Sequence, residues 1–277
     1  MAVDSQNSGA LIETQVQSML VEPLAAESIV LNAGPTLFNS SAPVRVPTIT
    51  GDTGATWVAE NEEIPEGTAP TWGELELMPT DRKSLKVIVR VSNELIRMAK
   101  IGVSSVLQNK IVADMQGALD DALLTGTGTA NEITGILNQP GVETAPFNAD
   151  VDSILDGLAH MAANEKTPNK IFMSGADFFA IRKLKDGHGQ YLLQPDVTQA
   201  GAYQLQGIPV TATNKLTAGT AIMADMKDIA VVRDEHARVD LLTERYAEFD
   251  QVGIRVATRY DLGLIRDTGA LILSNGA

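Results

Sequence analysis

Apolar residues recur at helical spacing in one long segment of the chain. Over residues 106–123 they repeat about every 3.6 residues, and Ser105 with Gln108 forms the capping-box pattern that opens helices. The pattern predicts a helix over residues 105–124, roughly 30 Å long, that ends at Gly126. Before it, apolar and polar residues alternate over residues 85–91, which predicts a half-buried strand. Ser92 then predicts a cap for a short helix over residues 93–100.

The second half of the chain mixes helical and strand periodicities and contains no internal repeat. Helices are predicted over residues 151–164 and from Ser174 to residue 185, where Ser174 and Asp177 form an N-terminal capping pattern. Strands are predicted at residues 171–174, 210–213, 221–224, 229–232, 238–242, 252–260 and 270–273.

Residues 1–50 have the pattern of an extended arm. A short helix is predicted at residues 11–20 and a strand at residues 44–49, and prolines prevent a continuous helix between them. The apolar residues of the arm are too many for a solvated tail, so we expect them to cover a protein surface. They are Leu24, Ile29, Val30, Leu31, Leu37 and Phe38.

Residues 51–81 carry acidic side chains and no Lys or Arg. Trp57-Val58 predicts the start of a strand, Pro65-Glu66-Gly67 a turn, and Glu74-Leu75-Glu76-Leu77 a returning strand, which together predict a long hairpin loop. A two-stranded ribbon is marginally stable alone in water, and like charges repel within it. We therefore expect this loop, like the arm, to take its interior from adjoining copies of the chain, on a basic or apolar surface.

Composition narrows the possible functions. The chain has 277 residues, 44% of them hydrophobic, and a formal net charge of -14. This charge disfavours nucleic-acid recognition, which needs clustered Lys and Arg. Cysteine is absent, and His160, His188 and His236 are far apart, so no disulfide, metal site or cofactor is expected. No apolar run reaches the roughly 18 residues of a membrane span, and the N-terminus lacks a signal-peptide pattern, which predicts a cytoplasm-compatible protein without membrane contact.

None of the candidate chemical motifs predicts an active site. Thr125-Gly126-Thr127-Gly128-Thr129 lacks the lysine of a phosphate-binding loop, and a helix stop followed by a tight turn is the better interpretation. Ser174-Gly175 lacks the glycines of a nucleophile elbow. An exposed position is expected for His188, between two glycines. A pair among Glu60, Glu62 and Glu63 for acid/base catalysis would need a desolvated carboxyl, which a hydrophilic loop does not provide. No catalytic residue is therefore predicted.

Motifs in a fixed order along the chain resemble major capsid proteins of tailed bacteriophages with the Hong Kong 97 fold. The resemblance spans about residue 10 to the C-terminus. The motifs are Trp57-Val58-Ala59-Glu60, Ile64-Pro65-Glu66, Val91-Ser92-Asn93-Glu94-Leu95, Leu123-Leu124, Gly126-Thr127-Gly128, Thr134-Gly135-Ile136-Leu137, Leu184-Lys185-Asp186, Gly189-Gln190-Tyr191-Leu192, Leu205-Gln206-Gly207-Ile208-Pro209-Val210, Phe249, Val252-Gly253-Ile254-Arg255 and Arg259-Tyr260-Asp261.

The resemblance implies an α+β capsid fold in four parts. These are an N-terminal arm (residues 1–50), an extended loop (51–84), a peripheral domain with a long spine helix (85–135 and 235–277) and an axial domain (136–234). It also implies hexamers and pentamers that close into an icosahedral shell around double-stranded DNA. Portal, scaffolding and decoration proteins are the implied partners, the virion capsid is the implied location, and assembly would take place in the host cytoplasm.

Three positions depart from the pattern of relatives that cross-link their shells covalently. The resemblance places Ile64 at the lysine, Val252 at the asparagine and Arg259 at the assisting glutamate. None of these side chains supports isopeptide chemistry, so we expect a shell without covalent cross-links. The long scaffolding segment that precedes the arm in many relatives has no counterpart here, so we expect scaffolding to be encoded separately or to be missing from this sequence.

A basic stretch follows the acidic loop and suggests how subunits meet. We expect the loop of one subunit to lie on this stretch of the next, with exposed ion pairs of under about 1 kcal/mol each and tryptophan anchors. The expected loop residues are Trp57, Glu60, Glu62, Glu63, Glu66, Trp72, Glu74 and Glu76, and the basic ones are Arg82, Lys83, Lys86 and Arg90, continuing to Arg97, Lys100 and Lys110. The alternatives are an encapsulin-type nanocompartment shell and, of another class, a soluble hydrolytic enzyme.

Overall fold

A computed structural model describes most of the chain outside the N-terminal 27 residues. The described residues are 28–50, 56–63, 71–78, 83–94, 103–129, 132–185, 188, 203–234, 238–242 and 244–275. The helix expected at residues 11–20, the turn at 65–67 and residues 95–100 of the short helix lie outside them. Asn93 and Glu94, at the expected start of that short helix, are helical.

The described residues form the following elements. The helices are α1 (Val103–Thr125), α2 (Val151–Ala163) and α3 (Gly175–Arg182). The strands are β1 (Thr36–Asn39), β2 (Val44–Thr50), β3 (Thr71–Leu77), β4 (Leu85–Ser92), β5 (Glu143–Pro146), β6 (Lys170–Ser174), β7 (Gln204–Leu205), β8 (Ile208–Thr213), β9 (Thr220–Ala224), β10 (Ile229–Arg233), β11 (Arg238–Leu242), β12 (Gln251–Thr258), β13 (Tyr260–Leu264) and β14 (Ala270–Ser274). Among these helices, none combines the length and hydrophobicity that a membrane crossing requires.

Helix α1 confirms the helix predicted from the 3.6-residue period. Its buried side chains are Ile111, Val112, Met115, Leu119, Leu123 and Leu124. The helix ends where predicted, because Gly126 follows Thr125 and donates its N–H to the Ala122 carbonyl at 3.0 Å. A Cβ on Gly126 would lie 2.3 Å from the Ile133 carbonyl oxygen, so glycine is required by the close approach of the chain after the helix.

One face of α1 packs against an antiparallel sheet in the order β11-β12-β4. The predicted alternation of β4 is confirmed: Val87 and Val89 join the core around α1, whereas Lys86, Ile88 and Arg90 are exposed. Strand β12 lies antiparallel to β4, with Val256 opposite Val87.

A six-stranded mixed sheet separates two hydrophobic cores. Its order is β5-β14-β9-β6-β8-β7. On β6, Phe172 belongs to the core that contains α1, whereas Ile171 and Met173 belong to a second core with α2 and α3. Burial on both faces explains the near-continuous apolar run of this strand.

Strand β14 pairs with strands that lie on the other side of an expected domain boundary. Strand β14 lies between β5 and β9 of the six-stranded sheet, although residues 235–277 were assigned to the peripheral domain. Conversely, β10 pairs with β1 and β13. The boundary at residue 234 therefore does not follow the sheets, because strand pairing joins segments that are distant in sequence.

Residues 28–39 belong to the body of the protein, which corrects the expectation of an arm that covers only neighbours. Val30 and Leu31 are buried in the core around α1. Strand β1 pairs in parallel with β10, with Phe38 opposite Val232. Val30, Leu31 and Phe38 therefore pack on their own chain, whereas Leu37 is 46% exposed.

The predicted loop is bounded by two antiparallel strands, β2 and β3. We call these two strands and their connection the ribbon. The register runs from Val44 opposite Leu77 to Thr50 opposite Thr71. The strand predicted at residues 44–49 is confirmed as β2, but the strand predicted to begin at Trp57-Val58 is wrong, because both residues are irregular. Pairing β3 with β2 places Val44 opposite Leu77 and Val46 opposite Leu75 on one face of the ribbon, and burial of that face at its base sets the register.

Candidate assembly surfaces

The glycine-rich loop after α1 is a helix stop and not a nucleotide site. Asn138 Nδ2 donates to the carbonyls of Thr125 and Gly126, both at 2.9 Å, so the loop ends a helix C-terminus. A phosphate needs the opposite polarity, the N–H groups of a helix N-terminus. The N–H and hydroxyl of Thr127 donate to Glu132 at 3.0 Å, and these bonds hold the pKa of the Glu132 carboxyl below its ordinary value.

Two sites considered from the sequence, a metal site and an acid/base pair among Glu60, Glu62 and Glu63, are not formed by the described residues. No group of three or more His, Cys, Asp or Glu side chains is placed there to hold a metal ion. Glu60, Glu62 and Glu63 are exposed, whereas a general acid at neutral pH needs a desolvated carboxyl.

The outer face of the ribbon carries exposed apolar side chains near its far end. Ile49 and Trp72 are cross-strand partners, with 55% and 69% of their surfaces exposed. Trp57, in the connection between β2 and β3, is fully exposed. We call Ile49, Trp57, Trp72 and the exposed Glu60, Glu62 and Glu63 the ribbon tip. Glu66 lies outside the described residues.

The middle of the ribbon is less acidic than the sequence of residues 51–81 indicates. Glu74 and Glu76 lie 3.8 and 3.9 Å from the guanidinium of Arg45, which faces them across the ribbon from β2. Arg45 therefore partly balances the charge of Glu74 and Glu76, and among the described residues of the ribbon the acidic charge is concentrated in the ribbon tip.

The base of the ribbon packs on its own body, which corrects the expectation that the whole loop lacks an interior. Leu75 and Leu77 pack so closely over Gly263 of β13 that a Cβ there would lie 2.9 and 2.8 Å from their methyl groups. The N–H of Met78 donates to Asp261 Oδ2 at 2.6 Å. Burial raises the pKa of the Asp261 carboxyl above its ordinary value, although the bonds from Met78 and Leu262 oppose this effect.

The residues of the predicted basic stretch do not lie on one surface in the structure. Lys83 turns into its own chain, where its Nζ donates to the Gly128 carbonyl at 2.9 Å. Lys86 and Arg90 lie on the outward face of β4, on either side of Ile88. Lys110 pairs with Asp114 on α1 at 2.6 Å. Arg82, Arg97 and Lys100 lie outside the described residues.

Two arginines that sequence reasoning missed join Lys86 and Arg90. Arg255 of β12 is opposite Ile88 and forms an ion pair with Asp240 of β11. The guanidinium groups of Arg90 and Arg245 lie 5.2 and 5.7 Å from the ring centroid of Tyr246, within cation–π range. We call Lys86, Ile88, Arg90, Arg245 and Arg255 the basic sheet face. The alternation of basic and apolar residues over 254–259 indicates that Arg255 lies on the exposed face of a strand. It does not indicate that this strand pairs with β4.

The positions expected from cross-linking relatives have other roles here. Val252 lies in β12 opposite Val91, and Arg259 donates from Nε to the Ser84 hydroxyl at 3.2 Å and pairs with Asp234 at 3.4 Å. Ile64 lies outside the described residues.

The structure combines a long helix under an antiparallel sheet, a mixed six-stranded sheet and a ribbon with an exposed tip, which is the α+β architecture expected from the resemblance to the Hong Kong 97 fold. The fold is similar to that of a chain from the capsid of an empty GTA particle, with a TM-score of 0.71, 17% identity, and coverage of 91% of this chain and 94% of that one. It is also similar to a chain from Microbacterium phage Oxtober96 (TM-score 0.71, 18% identity, coverage 89% and 90%) and one from Mycobacterium phage Bobi (TM-score 0.66, 21% identity, coverage 90% and 91%).

The sequence model of the phage capsid family matches residues 8–275, and the chain belongs to this family. It is a major capsid protein, a structural component of the virion shell. No curated protein matches the chain.

Proposed function

We propose that the ribbon tip of one subunit docks on the basic sheet face of the next subunit, in hexamers and pentamers that close into an icosahedral shell around double-stranded DNA. The observation that carries the proposal is that one chain exposes two surfaces of complementary charge, each of which includes an apolar side chain. One combines Ile49, Trp57 and Trp72 with acidic residues, and the other combines Ile88 with basic residues. Surfaces that differ on one subunit form head-to-tail contacts, which close into rings when the rotation from one subunit to the next divides a full turn evenly.

Charge would guide this contact and the apolar residues would supply most of its affinity. Exposed ion pairs contribute about 0.2–1 kcal/mol each and are screened by salt. A tryptophan that is buried on docking removes a large apolar area from water and is a frequent hot spot of interfaces. Trp72 and Ile49 are paired across the ribbon, so both would be buried together.

We further propose that the chain divides into functional regions near the expected boundaries, with β14 moved to the axial domain. Portal, scaffolding and decoration proteins are the proposed partners, and assembly takes place in the host cytoplasm. We assign the subunit no catalytic role. The encapsulin alternative is not favoured, since the family match and the similar structures are phage and GTA capsids.

A charge-swap experiment tests the docking contact. The double variant Lys86→Glu and Arg90→Glu should abolish shells, as seen by electron microscopy and size-exclusion chromatography, while leaving the circular dichroism spectrum of the subunit unchanged. Combining it with Glu60→Lys, Glu62→Lys and Glu63→Lys should restore assembly. The control, Lys110→Glu with Lys227→Glu, changes the net charge equally at two exposed lysines outside the basic sheet face and should assemble. Normal assembly of the first double variant at all salt concentrations would refute the contact.

A further inference from the structure

One ion pair in the body of the protein contacts the two chain segments that flank the ribbon. Asp234 directly follows β10 and is 8% exposed, and its Oδ2 lies 3.4 Å from the Arg259 guanidinium. Its other carboxylate oxygen, Oδ1, accepts a hydrogen bond of 3.0 Å from the Ser41 hydroxyl. Ser41 lies in the turn between β1 and β2, so this bond attaches the incoming end of the ribbon to the end of β10.

The segment that leads from the ribbon into β4 is attached to the same pair through the arginine. Arg259 lies between β12 and β13, and its Nε donates to the hydroxyl of Ser84, the residue before β4, at 3.2 Å. A guanidinium is planar and holds its donors in fixed directions, so its Nε and NH1 contact Ser84 and Asp234 simultaneously. Lysine offers one ammonium on a flexible chain and cannot form the same bridge.

The partial exposure of this pair favours a positioning role over a contribution to global stability. The Arg259 side chain is 41% exposed, and exposed ion pairs stabilise a fold only slightly. The pair does, however, restrain the two segments that flank the ribbon, at residues 41 and 84. Restraints on both flanking segments limit the angles that the ribbon can adopt.

We propose that Asp234 and Arg259 form a clamp that sets the direction of the ribbon in the unassembled subunit, so that the ribbon tip is presented to a neighbour before contact. The purpose of the clamp rests on the proposed docking of the ribbon, but its effect on ribbon motion does not. Preorganisation of this kind lowers the entropic cost of association.

The two tryptophans of the chain, Trp57 and Trp72, both belong to the loop, so tryptophan fluorescence reports on the loop alone. Trp57→Phe leaves Trp72 of β3 as a single reporter, and its time-resolved anisotropy is measured in unassembled full-length subunits. Arg259→Gln should increase the amplitude of the nanosecond component about twofold and accelerate amide exchange in β2 and β3 about two- to fivefold. Arg259→Lys should have an intermediate effect, because one of the two contacts is retained.

Arg266→Gln is the matched control, because Arg266 pairs with Asp228 at 3.7 Å at the opposite end of β10. This variant should leave the anisotropy and the exchange of the ribbon unchanged. If Arg259→Gln behaves like Arg266→Gln in both measurements, the clamp is refuted. If ribbon motion increases in Arg259→Gln but its shells form at the normal rate, the clamp stands and its role in assembly is refuted, whereas the charge-swap variants test the docking contact separately.

A second pair of variants keeps the test decisive if Arg259→Gln does not fold. Ser84→Ala and Ser41→Ala each release one of the two segments that flank the ribbon and leave the ion pair in place. Their combination should increase ribbon motion more than either alone, and no increase in the combination would also refute the clamp.

Discussion

The carboxylate of Asp120 on α1 accepts a hydrogen bond of 2.6 Å from the hydroxyl of Ser28, 92 positions earlier in the chain. Asp120 is 1% exposed, and it also accepts the N–H groups of Ile29 at 3.1 Å and Val30 at 3.4 Å. The Ser28 hydroxyl in turn accepts the Leu31 N–H at 3.2 Å. This group of bonds holds the start of the described chain on the long helix.

Asp120→Ala should lower the free energy of unfolding by about 3 kcal/mol, because it leaves several buried donors without an acceptor. Ser28→Ala should cost about 1 kcal/mol. Urea unfolding of unassembled subunits measures both values. Asp114→Ala, at an exposed position of the same helix, should stay within about 0.5 kcal/mol of the wild type. Equal effects of the Asp120 and Asp114 variants would contradict the role of the buried carboxylate.

Gly126→Ala and Gly135→Ala should each destabilise the subunit by about 2 kcal/mol or more, because the added methyl groups meet backbone atoms that cannot move aside. A Cβ at Gly135 would lie 2.5 Å from the Gly126 nitrogen. Thermal unfolding by calorimetry measures the effect. Gly175→Ala is the control of opposite sign: the site is open within 4 Å, and alanine there should stabilise α3 by about 0.4–1 kcal/mol. A neutral Gly126→Ala would show that the turn after α1 can relax.

Asp261 should make subunit stability depend on pH. Its pKa is raised in the folded state by burial, so its contribution to stability is fully present below the pKa of the unfolded state and is lost as pH rises through the folded-state pKa. Asp261→Asn stays neutral and keeps an oxygen to accept the Met78 N–H. The variant should therefore gain stability over the wild type as pH rises from 4 to 8. Urea midpoints across this range test the prediction, and a pH-independent difference would contradict it.

The two ends of the ribbon should respond differently to truncation. Leu77→Ala should lower the free energy of unfolding by about 2–4 kcal/mol, because Leu77 is 1% exposed at the base. Trp72→Ala should change the stability of the unassembled subunit by less than about 0.5 kcal/mol but reduce shell formation. Urea unfolding and light scattering separate these effects. A loss of subunit stability in Trp72→Ala would show that the tip packs on its own body.

Mature shells should dissociate into single chains under denaturing conditions. Val252 and Arg259 lack the amide and carboxylate of the cross-linking relatives, and Ile64 lacks the amine. Denaturing gel electrophoresis of boiled particles should show one band near 29.5 kDa. A ladder of multiples would reveal another covalent chemistry.

The acidic loop shows where prediction from the sequence succeeded and where it failed. Alternation predicted β2 and the end of β3, and both are confirmed. The pairing of β3 with a strand before residue 51 was missed, because the strand expected at Trp57-Val58 is closer to β3 in sequence. That error also hid Arg45, which faces Glu74 and Glu76 only in the observed register. Lys83 was misplaced for a similar reason, since its partner, the Gly128 carbonyl, is distant in sequence.

The amino-acid sequence by itself determined the helix α1, its glycine stop, the alternation of β4 and the acidic, tryptophan-containing loop. These features depend on residues within a few positions of one another, so the pattern that predicts each of them lies within one short segment of the chain. Only the tertiary structure decided that Ser28 belongs with Asp120, that Arg255 lies beside Ile88, and that Asp234 and Arg259 contact the segments on either side of the ribbon. Such contacts join segments separated by tens to hundreds of positions, and it is burial of apolar surface across the whole chain that selects them.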